Sequence, residues 1–306
     1  MRILITGSTG LVGTAVSRRL ESEGHEVLRL VRPETRATSG TTPAKTVLWN
    51  PAREEFEGAQ ADGADALIHL AGASIADGRW NESRKNLLRT SRVDATRHLI
   101  AALSRLKAPP RVIVSASAIG YYGDRREESL TETSPPGDSF LAQVCVHWES
   151  EVARGAEFGA RIAMLRFGVV LAANGGALPH LALPFKFGAG GKLGSGLQWM
   201  SWLTLDEVVN MILFALTNPA LAGPANAVAP NPVRNVDFTR VLARVLHRPA
   251  IFPAPAFALR LAVGEMADVL LLSSQRVIPA RLNECGYRFL HTDLEEALRS
   301  VFEKGS

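Results

Sequence analysis

Three glycines near the start of the chain carry the first recognisable chemistry. Thr6-Gly7-Ser8-Thr9-Gly10-Leu11-Val12-Gly13 follows a short apolar run, Arg2–Thr6, and precedes a helical stripe with apolar residues at 11, 12, 15, 16 and 20. In a strand–turn–helix setting each glycine has a task. Gly7 permits a tight turn, Gly10 lets the backbone approach a pyrophosphate, and Gly13 lets the helix pack close to the sheet. Free N–H groups and the positive end of the helix then hold the phosphates. The expected ligand is a dinucleotide, and the alternative is a structural glycine turn with no ligand.

The end of the second strand selects the dinucleotide. Glu26–Val31 reads as that strand. An acid at its end would bond a ribose 2′-hydroxyl, and a base would pair with a 2′-phosphate. Arg32 stands there, followed by Pro33, Glu34, Thr35 and Arg36. A guanidinium is planar and bonds phosphate bidentately, so Arg32, with Arg36 behind it, favours NADP over NAD. Glu34 is the counter-signal, but after a proline it is expected to face solvent.

These groups need a scaffold, and the first half supplies an alternating one. Strand-like runs cover Arg2–Thr6, Glu26–Val31, Thr46–Trp49, Asp65–Ala71, Arg111–Ser117 and Arg161–Phe167; helical periods cover Leu11–Ser22, Leu87–Leu106 and Ser139–Glu157. Such alternation implies right-handed βαβ crossovers and an α/β fold, a Rossmann doubly wound parallel sheet. After residue 170 the rhythm changes. Helical runs at Asp206–Thr217 and Phe238–Leu246 lie among Gly- and Pro-rich stretches, Ala225–Pro232 reads as a short strand or loop, and Phe257–Leu272 is strongly apolar. The expected division is a dinucleotide-binding domain over residues 1–170, with segments near 200–230 packing back on it. Residues 171–306 then form a smaller C-terminal α/β substrate or lid domain.

Composition removes several classes of function. The chain has 306 residues, 46% hydrophobic and 21% charged, which excludes wholesale disorder. Its 34 basic and 30 acidic residues leave a formal charge of +4 scattered along the chain, so nucleic-acid binding is not indicated. Cys145 and Cys285 cannot build a disulfide framework and fit a reducing cytosol. Gly and Pro interrupt the longest uncharged stretches, so no membrane span is expected. A soluble cytoplasmic protein with no metal site is the reading. His147 falls on a different helical face from Cys145 and Glu149, which makes Cys145-x-His147-x-Glu149 a poor metal set.

Several blocks resemble a known family. The glycine turn, HLAGAS at residues 69–74, and VSAS at 114–117 followed by Tyr122-Gly123 are similar to the extended short-chain dehydrogenase/reductases. FLAQVCVHWE at 140–149, the stretch Pro184–Asp206 and SQRVIPARL at 274–282 are similar to an atypical branch of that family, the NAD-dependent epimerase/dehydratase-like "epimerase family". The resemblance implies a Rossmann fold binding NADP. By position, the cofactor contacts would be Gly7, Thr9, Gly10, Leu11 and Val12, then Val31 and Arg32 at the adenosine phosphate, and Leu70, Ala71 and Gly72 on the next wall. Arg92 would either reach the cofactor or stand as a solvated helix charge.

The resemblance also exposes a gap. Ordinary members use Ser with Tyr-x-x-x-Lys, where the phenol moves a proton and the lysine supplies charge. Ser117 matches the serine. Anchoring on Glu149 puts Leu141 at the tyrosine position and Cys145 at the lysine position, and neither can do that work. Tyr121, an extra residue beside Tyr122, is the candidate replacement for proton transfer, with packing as the alternative. Cys145 as a nucleophile would need a nearby cation. Thr204 stands where the branch carries a histidine. Lys186 and Lys192 flank a glycine-rich loop, Gly188–Gly196, that reads as a lid meeting an anionic substrate or as a solvated surface loop.

Two functions from different classes follow. One is an NADP-dependent oxidoreductase or epimerase acting on a small hydroxyl or carbonyl substrate, with a homo-oligomer left open. The other is a non-catalytic NADP(H)-binding regulator or scaffold, which exposed apolar surface in Phe252–Leu272 would favour over simple packing of the second domain.

Overall fold

A computed structural model describes residues 1–33 and 45–304. Glu34 and Arg36 lie outside the described residues. Eight strands form the central sheet: β1 (Arg2–Thr6), β2 (Glu26–Val31), β3 (Thr46–Asn50), β4 (Glu55–Phe56), β5 (Ala66–His69), β6 (Val112–Ala118), β7 (Arg161–Phe167) and β8 (Gly223–Ala227). Their spatial order is β8-β7-β6-β5-β1-β2-β3-β4, parallel except for the antiparallel pair β3–β4. The chain builds outward from β1 to β3, then returns to the other side of β1 with β5. That reversal opens a crevice at the C-terminal ends of β1 and β5, where ligands bind in such sheets.

Alternation along the strands builds two cores. Ile3 and Ile5 face one side and pack with Val16, Leu20, Met211 and Ile212. Leu4 faces the other and packs with Leu67, Leu99, Ile113 and Trp148. Helix α1 (Leu11–Ser22) covers the first face together with Leu205–Thr217, and Val93–Leu103 with Phe140–Ala153 covers the second. The side chain of Thr204 caps Leu205–Thr217 by accepting from the Glu207 N–H at 3.2 Å. In this chain, then, the threonine at the branch histidine position serves a helix end.

Two elements differ from the sequence reading. The expected helix Leu87–Leu106 is two, Glu82–Thr90 and Val93–Leu103. The break has a tertiary cause: Ser91 Oγ accepts from the Ala73 N–H at 3.1 Å, and the Arg92 guanidinium donates to Ala73 O at 3.0 Å. The segment Ala225–Pro232, read as a short strand or loop, does begin as a strand: it starts inside β8, which pairs with β7 at the sheet edge. The helix Ala256–Val263 buries no residue, and Phe257 and Leu261 are 72% and 77% exposed, so this part of the apolar run does not pack a second core.

Beyond the central sheet, Val169–Ala172 pairs with Gly175–Gly176 and Trp202–Thr204, and Trp199–Met200 pairs with Val233–Arg234. Helices Leu178–Lys186, Asn235–Leu246 and Leu294–Lys304 gather around Trp202, Phe185, Phe238 and Leu298. The loop Gly188–Gly196 is laced to the segment after residue 250. Phe252 N–H donates to Gly190 O, Ala254 N–H to Lys192 O and Gly194 N–H to Ala254 O, at 2.8–3.0 Å. A Cβ on Gly191 would lie 1.9 Å from Phe252 O, so this glycine serves close backbone approach rather than a hinge. Lys192 Nζ donates to Ser195 O within the loop, and Lys186 is exposed.

Candidate active site

The glycine turn lies at the mouth of the crevice. Gly7 has φ +67°, and a Cβ there would sit 2.8 Å from the Leu70 carbonyl. A Cβ on Gly13 would come within 2.1 Å of Gly7 O. Both positions therefore require glycine for the turn and for helix–sheet contact. Gly10 differs: its Cβ would meet only Gly7 O, at 3.3 Å, and the residue is exposed. Among the described residues no side chain caps the N-terminus of α1. Its first-turn amides thus face an open cradle, the arrangement in which helix N-termini take phosphate. Thr9 is exposed, and Leu11 and Val12 are half-buried on the first turn.

The walls are held from beneath. Thr6 Oγ1 accepts from the Leu70 and Ala71 N–H groups at 3.0 and 3.1 Å. With both lone pairs engaged, its hydrogen goes to His69 Nδ1, 2.7 Å away. His69 Nε2–H then donates to Thr96 Oγ1 at 2.8 Å. Burial lowers the His69 pKa to about 4, so the ring is neutral and its tautomer is fixed by this chain of bonds. Val31 is buried at the end of β2, whereas Arg32 is exposed and makes no ion pair among the described residues. Arg92 is not a solvated charge. Its guanidinium lies against Gly72, donates to Leu88 O and Ala73 O, and stacks 5.5 Å from the Trp148 ring centroid.

A second cluster occupies the same edge of the sheet, at β6 to β8. Ser117, Arg166 and Asn226 stand in register on three neighbouring strands. Ser117 Oγ donates to Glu149 Oε1 at 2.6 Å. Arg166 donates a fork to the same carboxylate, Nε to Oε1 at 2.8 Å and Nη2 to Oε2 at 2.7 Å. Its Nη1 donates to the Tyr122 hydroxyl at 2.9 Å, and that hydroxyl donates to Asn226 Oδ1 at 2.6 Å. Ser117, Glu149, Arg166 and Asn226 are all buried. Burial, opposed in part by Arg166, pushes the Tyr122 phenol up to about 12, so it stays protonated. Tyr121 is different. It is half-buried, its ring centroid lies 3.5 Å from Arg166 Cζ, and its hydroxyl has no partner among the described residues.

The serine and the extra tyrosine singled out from sequence thus belong to one cluster, with Ser117 inside it and Tyr121 on its surface. Glu149 was read as an alignment anchor and as part of a poor metal set, and Arg166 and Asn226 were missed. The available signal was Arg166 itself, an arginine near the end of an apolar strand that had to find a buried partner. Leu141 and Cys145 are buried on Phe140–Ala153. Burial first, and Glu149 second, raise the Cys145 thiol to about 12, so it is no thiolate nucleophile. His147 is exposed, away from the buried Cys145 and Glu149. Among the described residues no three His, Cys, Asp or Glu side chains converge as a metal site, and no helix is long and apolar enough to cross a membrane.

Comparison with known proteins agrees with the fold. Residues 254–301 match a domain of unknown function, DUF1731. Epimerase family protein Mb2239 of Mycobacterium bovis is 40% identical over 296 residues, covering 97% of this chain and 96% of the relative. The chloroplastic epimerase family protein SDR39U1 homolog of Arabidopsis thaliana is 39% identical, covering 99% of this chain and 87% of the relative. Human epimerase family protein SDR39U1 (isoform 2), crystallised with NADPH, superposes with a TM-score of 0.89 at 32% identity and covers 99% of each chain. Residues 3–228 match the NAD dependent epimerase/dehydratase family, and with these relatives the chain belongs to that family.

Proposed function

We propose that this chain is an NADP(H)-dependent oxidoreductase or epimerase acting on a small hydroxyl or carbonyl substrate. Gly7, Thr9, Gly10, Leu11 and Val12 would hold the pyrophosphate, Val31 and Arg32 the adenosine end, and Leu70, Ala71 and Gly72 the wall toward the nicotinamide, with Arg92 bracing Gly72. NADPH, when bound, supplies the hydride chemistry; the NADPH complex of the human relative supports this choice. Residues 1–170 together with the segment ending in β8 would form the cofactor half, and 171–306 the smaller substrate-covering half.

One observation carries the enzymatic reading. Tyr121 offers a phenol whose hydroxyl has no partner among the described residues, at the edge of the sheet where the crevice opens, resting on a buried guanidinium. It can give or take a proton at a substrate oxygen. Ser117 donates its hydrogen to Glu149, so its lone pairs are what it could offer a substrate hydroxyl. The test is a screen of carbonyl compounds for NADPH oxidation, run beside Tyr121→Phe. The reading expects turnover to fall at least a hundredfold in the variant, on the order of a lost general acid, with NADPH affinity unchanged. Equal turnover would remove Tyr121 from the chemistry.

The regulator reading keeps one specific support. Phe252, Phe257 and Leu261 are 58%, 72% and 77% exposed, an apolar surface that a partner could cover. A partner bound there with no turnover on any carbonyl compound would favour it.

A further inference from the structure

We propose that Arg166, acting through Tyr121, supplies the fixed positive charge that the Tyr-x-x-x-Lys pattern would have carried at Cys145. The inference rests on the reading of Tyr121 as the proton-transfer group.

The sequence leaves a phenol without its lysine, and the fold brings in a cation from another strand. Arg166 is 2% exposed, and a guanidinium so deep in the protein must be paired. Glu149 takes one edge of it through the two-bond fork, and the Tyr122 hydroxyl takes Nη1. Ser117 adds a third bond to the Glu149 carboxylate and fixes it from the other side. With its edges engaged, the guanidinium offers a face. The Tyr121 ring lies over that face at 3.5 Å, within the range where cation–π attraction is strong. Glu149 bonds the guanidinium edge and so leaves the face to the ring.

This arrangement sets a buried cation against the ring whose hydroxyl would move the proton. The Tyr121 O–H bond breaks, the proton passes to the substrate oxygen, the electron pair stays on the phenol oxygen, and solvent later restores the proton. A cation against the ring favours the negative phenol oxygen throughout. Arg166 never touches the substrate, so it is a positioning residue. Tyr122 cannot substitute, because it is fully buried and its hydroxyl is committed to Asn226.

The test needs no substrate. Tetranitromethane nitrates tyrosine through its phenolate form, and mass spectrometry locates the product among Tyr121, Tyr122 and Tyr287. In the wild-type protein Tyr121 is nitrated fastest. Glu149→Gln keeps the shape of the side chain and removes the countercharge with one arm of the fork, so Tyr121 nitration rises by roughly threefold. Arg166→Met/Glu149→Gln removes both charges, and nitration falls by roughly tenfold. NADPH binding by nicotinamide fluorescence, within twofold of wild type, certifies the fold in each case. A Tyr121 rate indifferent to either change overturns the proposal. Turnover lost in Tyr121→Phe with nitration indifferent to charge would leave the role of Tyr121 standing and remove Arg166. Turnover retained in Tyr121→Phe would remove Tyr121 from the chemistry and overturn the role of Arg166 with it, whatever the nitration shows.

Discussion

The two halves of the sheet edge solve their problems differently. On the β1–β5 side, eight consecutive residues make the cradle, and the steric needs of Gly7 and Gly13 are met within a few residues of each other or against the neighbouring strand end. On the β6–β8 side, the cluster draws on residues 117, 149, 166 and 226, joined only by strand register and by one helix laid over the sheet. A local motif tolerates little change and shows in any reading of the sequence. A cluster assembled across strands can exchange its members while keeping its charge, and local spacing does not record the exchange.

The largest effect is expected where the assembled cluster is left with an unpaired charge. Arg166→Met leaves the Glu149 carboxylate buried without its fork and costs about 3–5 kcal/mol of stability. Adding Glu149→Gln recovers most of it, as read by urea unfolding. If the single and double variants unfold alike, the pair is not what holds β7 to Phe140–Ala153.

The next effect tests the floor of the cradle. His69 is neutral in the fold with a pKa of about 4 against 6.5 when exposed, so the unfolded chain binds its proton more tightly. Stability from this site is complete above pH 6.5 and is lost as pH falls toward 4, by about 3 kcal/mol. The difference between wild type and His69→Gln should show that slope in this window. Parallel curves would mean that the His69 ring charges without cost.

Smaller effects sharpen the contrast. Arg32→Ala should weaken NADPH roughly tenfold or more, the worth of a charged phosphate contact, and leave NADH unchanged. Equal losses would place the 2′-phosphate elsewhere. Least of all, Glu265→Gln breaks an exposed ion pair with Lys85, 2.5 Å long, that ties the C-terminal segment to Glu82–Thr90. Melting should move by no more than about 2 °C.

How much was legible follows the same division. Periodicity located the six parallel strands read in the first half, and the glycine spacing located the cradle. The break at Ser91–Arg92 was not legible, because Ala73, far along the chain, pulls both residues out of the helix. Nor was the exposure of Phe257 and Leu261, since apolar spacing records a face but not whether anything covers it. Ser117 and Tyr121 were legible as types, one from a family match and one as an extra tyrosine. Arg166 was hidden among the apolar residues of its strand, and only register with Ser117 and Asn226 gives it a role.

The most direct test of the account is a side-by-side titration of the wild-type protein with NADPH, NADP, NADH and NAD, followed by nicotinamide fluorescence and melting temperature. The account predicts clear preference for the phosphorylated pair and a rise in melting temperature that tracks their concentration. Binding of none of the four would contradict it and leave a Rossmann fold whose cradle is purely structural.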